Sequence, residues 1–169
     1  MSLAEEIVKS LAGRGELVAA ESCTAGLASS FIARVPGASK VFWGSFVTYT
    51  ADAKVKMLGV PESLIKKNGA VSRPVALAMA EGALKKSGAD FAFSITGLAG
   101  PDGDDSGLPV GTVWIGLAGC FGETANLLSE AALFRFSGLR NEVREAAAAA
   151  ALEEVLKKLL NLSPRMRTV

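Results

Sequence analysis

The apolar positions of this chain change period several times, and each change marks an expected element. Leu3, Ile7 and Leu11 recur at fourfold spacing, which predicts an amphipathic opening helix that ends near Gly13 and Gly15. Leu17 to Ala20 is a short apolar run of strand length. A helix is expected after it, capped by Thr24 and running to about Arg34, where Pro36-Gly37 breaks it. Val41 to Thr50 is rich in β-branched and aromatic residues and predicts a second strand. Thr50 then caps a short helix through Leu58, closed by Gly59 and Pro61. The most regular helical pattern follows Ser72, with Pro74 in the first turn and Val75, Ala78, Met79, Gly82 and Ala83 on one face. Lys85 and Lys86 suit its C-terminal dipole, and Gly88 lies just beyond.

Phe91 to Thr96 predicts a third strand. The glycines at 97, 100, 103, 107 and 111, with Pro101 and Pro109, then require a loop. Thr112 to Ala118 and Leu128 to Phe136 read as paired late strands around a turn at Phe121-Gly122. In the last helix Leu152, Val155, Leu156, Leu159 and Leu160 form one stripe, and the alanines at 146–151 suit close packing on a sheet. Strands alternating with helices predict an α/β domain with helices on both sheet faces. The adjacent late strands make one pair antiparallel, so the sheet is expected to be mixed.

Composition narrows the function classes. The 169 residues, half of them hydrophobic and 21% charged, suit a single globular domain over 1–169. No uninterrupted apolar run approaches the roughly 18 residues of a membrane helix. The N-terminus lacks the layout of a signal peptide, so the chain reads as cytoplasmic, with no membrane partner. A net charge of +1 without a dense Lys/Arg block offers no electrostatic case for nucleic acid. Cys23 and Cys120 form no metal-type cluster and are expected to be reduced thiols. The chain has no histidine, which excludes a histidine triad and leaves lysine as the plausible nitrogen base. Small-residue helices would suit a homo-oligomer as well as a tightly packed monomer.

The chemistry concentrates at Ala20-Glu21-Ser22-Cys23-Thr24-Ala25-Gly26 and at Lys54. Ser22 falls just past a strand's carboxyl end, where open α/β sheets place ligands. Backbone amides around 23–26, including those of Thr24 and Gly26, would then be donors for an oxyanion. The competing reading is a polar capping segment. Lys54 falls in the first turn of its helix, where the positive end disfavours an ammonium. At an ordinary pKa about one lysine in 2,500 is neutral at pH 7, so a base needs about three units of depression. Asp52 nearby opposes this, and solvated lysines also occur at helix starts. Tyr49 could hydrogen-bond the lysine or stack on a ring, against the plainer reading of a half-buried strand aromatic. Gly97, Gly100 and Gly103 would let amides approach an anion. Asp102, Asp104 and Asp105 read as a solvated acidic loop in preference to a Mg²⁺ site. Arg140 and Arg144 open the last helix, where arginine opposes the dipole unless it meets an anion or bridges to Glu142 or Glu145.

Taken together, AESCTAG at 20–26, FVTYTADAK at 46–54, MLGVPESL at 57–64 and GAVSRPVALAMAEGAL at 69–84 resemble the CinA C-terminal domain family. The likeness continues through ITGLAGPDG at 95–103, PVGTVWIGLA at 109–118 and FSGLRNEVR at 136–144, covering almost the whole chain in order. The resemblance implies a three-layer α/β/α sandwich on a mixed, mainly parallel sheet of about five or six strands. It implies an amidohydrolase that converts nicotinamide mononucleotide and water to nicotinate mononucleotide and ammonia, in pyridine-nucleotide recycling. By the same resemblance Ser22 is the nucleophile and Lys54 its base, while Tyr49 and Thr96 assist or line the pocket. Arg140 engages the nucleotide, and neither metal nor cofactor is required. The family usually has Gly at Ala25 and Asn at Ala51, and differs also at Asp104, Leu108 and Leu139. Ala25 is expected to fit if its φ stays negative. These changes also suit an alternative, a nucleotide-sensing or partner-binding domain without turnover, or a serine/lysine hydrolase of another amide.

Overall fold

The structure, a computed structural model, describes residues 1–104, 107–120 and 127–161. Asp105 and the turn expected at Phe121-Gly122 lie outside the described residues. The elements run α1 (Leu3–Leu11), β1 (Leu17–Glu21), α2 (Leu27–Ala33), β2 (Phe42–Val47), α3 (Ala51–Leu58), α4 (Glu62–Asn68), α5 (Arg73–Ser87), β3 (Phe91–Gly97), β4 (Thr112–Cys120), β5 (Leu127–Arg135) and α6 (Arg140–Leu160). A 3₁₀ turn over Ala38–Lys40 leads into β2.

The sheet order is β2-β1-β3-β4-β5. β1 pairs in parallel with both β2 and β3, whereas β4 pairs antiparallel with β3 and with β5. Four of the five strands therefore share one direction and β4 alone is reversed, which gives the mixed, mainly parallel sheet. Alternation along β1 divides its side chains between two cores. Leu17 and Ala19 face α1, α2 and α6, where Ile7, Leu11, Ile32, Val143, Leu152 and Leu159 are buried. Val18 and Ala20 face the opposite layer with Leu58, Val75, Met79 and Ala83. Alanines in α6 permit a close approach to the sheet, and Ala147, Ala148 and Ala151 are fully buried. The result is a three-layer α/β/α sandwich.

Local signals act where the sequence places them. Ser2 caps α1 in a reciprocal pair with Glu5. Gly59 and Gly88 take left-handed conformations that close α3 and α5. The short helix α4 is unforeseen: it buries no residue fully and only leans Leu64 and Ile65 on the second core, so its periodic signal is weak. Among the described residues no helix is long and apolar enough to cross a membrane.

Candidate active site

The carboxyl ends of β1, β2 and β3 meet at one point. Ser22 N donates to Ile95 O at 2.9 Å, and Thr48 N donates to Glu21 O at 2.8 Å. Ser22 thus leaves the sheet with its main chain held on both sides. The turn that follows departs from expectation. α2 starts at Leu27, not at Thr24, and Gly26 occupies its N-cap at φ 93° with no side-chain cap. The orphan amides are met by Glu21 instead. Its Oε2 accepts from Gly26 N at 2.9 Å and Ala28 N at 3.2 Å. Its Oε1 accepts from Ser29 N at 2.8 Å and Ser29 Oγ at 2.5 Å. Glu21 is fully buried, and these four donors replace the water it has lost. Ala25 sits at φ 51°, in the left-handed region, so the condition set for an easy fit of alanine there is not met.

Lys54 arrives from α3. Thr50 caps that helix as expected, its Oγ1 accepting from Ala53 N at 3.1 Å. The Lys54 side chain is only 1% exposed, and its Nζ donates to Ser22 Oγ at 2.8 Å and to Thr48 O at 3.0 Å. Burial pushes its pKa down to about 8, against a smaller opposing pull from Cys23. Asp52, the acidic neighbour that would have opposed this, forms an exposed pair with Lys56 at 2.9 Å. At pH 7 about one Lys54 in ten is then neutral, about 250 times the share of a solvated lysine. Burial also pushes the Cys23 thiol up to about 11, so that it stays protonated at neutral pH.

The other expected site residues divide. Tyr49 contributes its carbonyl, which accepts from Ser22 Oγ at 3.4 Å. Its hydroxyl does not reach the lysine and instead accepts from Arg140 at 2.5 Å. Arg140 also donates to the Gly100 carbonyl, so one guanidinium ties α6 to the β2–α3 corner and to the loop after β3. Neither Arg140 nor Arg144 bridges to Glu142 or Glu145; Glu142 accepts from Leu139 N at 2.6 Å instead. Thr96 is buried one residue past the Ile95 carbonyl that holds Ser22, but its hydroxyl donates to Ala70 O at 2.9 Å and so holds the loop before α5. Gly97 is a packing glycine, since a Cβ there would lie 2.6 Å from Val113 Cγ2. Gly100 takes φ +84° and presents the carbonyl that Arg140 engages.

Within the turn after Ser22, Gly26 N is taken by Glu21, and Ala25 N donates to Ser22 O at 3.0 Å. Thr24 is fully buried, and its Oγ1 has no partner among the described residues. Arg144, which local spacing marked only as a helix-start arginine, donates to Cys23 O and Thr24 O, each at 3.1 Å. A groove of about 380 Å³ runs between the start of α1 and the end of α2, beside Phe31 and Arg34, and does not include Ser22. Among the described residues no cluster of Cys, Asp and Glu has the makings of a metal site.

Fold and site together define an α/β/α protein with a serine–lysine pair at the carboxyl edge of a mainly parallel sheet. The profile of the CinA C-terminal domain matches residues 1–159, and the chain belongs to that family. It is 44% identical over 161 residues to the nicotinamide-nucleotide amidohydrolase PncC of Escherichia coli, covering 95% of this chain and 94% of that one. It is 48% identical over 163 residues to a putative competence-damage inducible protein of Symbiobacterium thermophilum, of whose length it spans 38%. A CinA superfamily protein from Klebsiella pneumoniae superposes with a TM-score of 0.86 at 30% identity, covering 94% of this chain and 96% of that one. The competence/damage inducible protein CihA of Agrobacterium tumefaciens gives a TM-score of 0.83 at 38% identity, covering 94% of each chain.

Proposed function

We propose that this protein is an amidohydrolase that converts nicotinamide mononucleotide and water to nicotinate mononucleotide and ammonia. The observation that carries the reading is the 2.8 Å contact between a buried lysine amine and the Ser22 hydroxyl. Relatives of the same length named for that activity, at 44% identity, support the substrate.

Neutral Lys54 takes the Ser22 proton as Oγ attacks the carboxamide carbon of the pyridine ring. The tetrahedral intermediate collapses when the C–N bond breaks and protonated Lys54 returns the proton to the departing ammonia. Water then attacks the ester carbon, giving a proton to Lys54, and Lys54 returns that proton to Oγ as the Oγ–C bond breaks, which releases the acid and restores the serine. Thr48 O keeps the amine aimed during these exchanges. The Arg140–Tyr49 contact is one the nucleotide would exchange for its own polar groups. We read residues 1–169 as one domain working in the cytoplasm on a small nucleotide, without metal, nucleic acid or membrane. Ammonia release from nicotinamide mononucleotide tests the reading, with nicotinamide and glutamine as controls. Release that requires both Ser22 and Lys54 is expected. Nucleotide binding without release would mean a sensing domain, and release from another amide alone would mean a different substrate.

A further inference from the structure

Arg144 carries no expected role in catalysis, yet both of its long-range hydrogen bonds end on the turn that follows Ser22. The guanidinium reaches the carbonyls of Cys23 and Thr24 from more than a hundred residues away, with Nε on the first and NH2 on the second. In a trans peptide the C=O and the next N–H point in opposite directions. The described cis bond is Gly100–Pro101, so both peptides of this turn are trans. With Thr24 O drawn to Arg144, the Ala25 N–H must face the other way, and it lands on Ser22 O at 3.0 Å. With Cys23 O drawn to the same guanidinium, the Thr24 N–H must also face away from Arg144. That amide has no acceptor among the described residues, in contrast to its neighbours at 25 and 26. Thr24 is fully buried and its Oγ1 is unpartnered as well. Two orphan donors on one buried residue are costly unless something fills them during function.

We propose that Thr24 supplies the oxyanion donor of the reaction and that Arg144 is the positioning residue that aims it. The proposal rests on the amidohydrolase reading above. The guanidinium acts in two ways. It fixes the Cys23–Thr24 peptide plane before substrate arrives, so no reorganisation is needed when charge develops. Its positive charge on the carbonyl oxygen also polarises the same peptide and makes the N–H a stronger donor. Neither effect requires Arg144 to touch the substrate.

The test compares wild type, Arg144→Ala and Arg144→Lys in ammonia release from nicotinamide mononucleotide. Arg144→Ala should lower kcat about a hundredfold, the usual scale for one oxyanion donor, while KM stays within about threefold. The pH midpoint should match wild type, because Lys54 is untouched, and added guanidinium should restore part of the rate. Arg144→Lys reaches one carbonyl of the two and should lose about tenfold in kcat, which provides the readout if the alanine variant does not fold. A fall in affinity with kcat unchanged would make Arg144 a substrate ligand and overturn the proposal, as would wild-type rates in both variants. Silence of the wild-type protein would overturn the amidohydrolase reading itself.

Discussion

Lys54 Nζ lies 2.8 Å from Ser22 Oγ although 32 positions separate the two residues. The pair forms because β1 and β2 are parallel neighbours, so the turn after one strand faces the helix after the other. Activity should therefore follow the neutral amine. With Lys54 pushed down to about 8, kcat/KM should rise about tenfold per pH unit below that value and level off above it. Lys54→Met should remove a factor of about 10² to 10⁴ and abolish this rise, as read from pH–rate profiles.

The same depression has a signature in stability. Lys54 titrates at about 8 in the fold and near 10.5 when unfolded. Between those values the unfolded chain holds the extra proton, so stability should increase with pH across that window. The gain is on the order of 3 kcal/mol, at about 1.4 kcal/mol per unit. Urea unfolding at pH 7 and pH 10 should show it, and Lys54→Met should lack this increment.

Ala25 is an L-residue held at φ 51°, followed by Gly26 at φ 93°. A left-handed alanine costs about 1–2 kcal/mol, partly offset by the greater unfolded freedom of glycine. Ala25→Gly should therefore raise stability by about 0.5–1 kcal/mol, seen as a higher Tm. Gly26→Ala should lower it by about 1–2 kcal/mol, since its Cβ would find room at 3.7 Å from Val47 Cγ2 and only the backbone would suffer.

Glu21→Ala would leave three amides at the start of α2 and the Ser29 hydroxyl without their acceptor. A loss of about 3 kcal/mol or more is expected by urea unfolding. Glu21→Gln keeps the shape but turns an NH₂ toward donors, and should fall between wild type and alanine.

Much of the architecture is legible along the chain because its causes are local. The periods of 2 and 3.6, the Thr50 cap and the closing glycines at 59 and 88 each depend on residues a few positions apart. The helix start after Ser22 is the instructive failure. Thr24 has the right chemistry for a cap, but Glu21, held at the end of β1, reaches the amides first and delays the helix to Leu27. Local propensity was overridden by a side chain fixed by the sheet.

What the amino-acid order settled alone was a set of elements and a short roster of reactive groups: one hydroxyl after a strand, one amine at a helix start, and no histidine. Tertiary structure decided which of these meet. Strand order β2-β1-β3 brought Ser22 to Lys54, burial lowered the amine's proton affinity, and α6 delivered Arg140 to Tyr49 and Arg144 to the turn after Ser22. Periodicity is a property of neighbours, so it survives in one dimension. Desolvation and hydrogen-bond geometry between residues 30 to 120 positions apart exist only once the layers have packed.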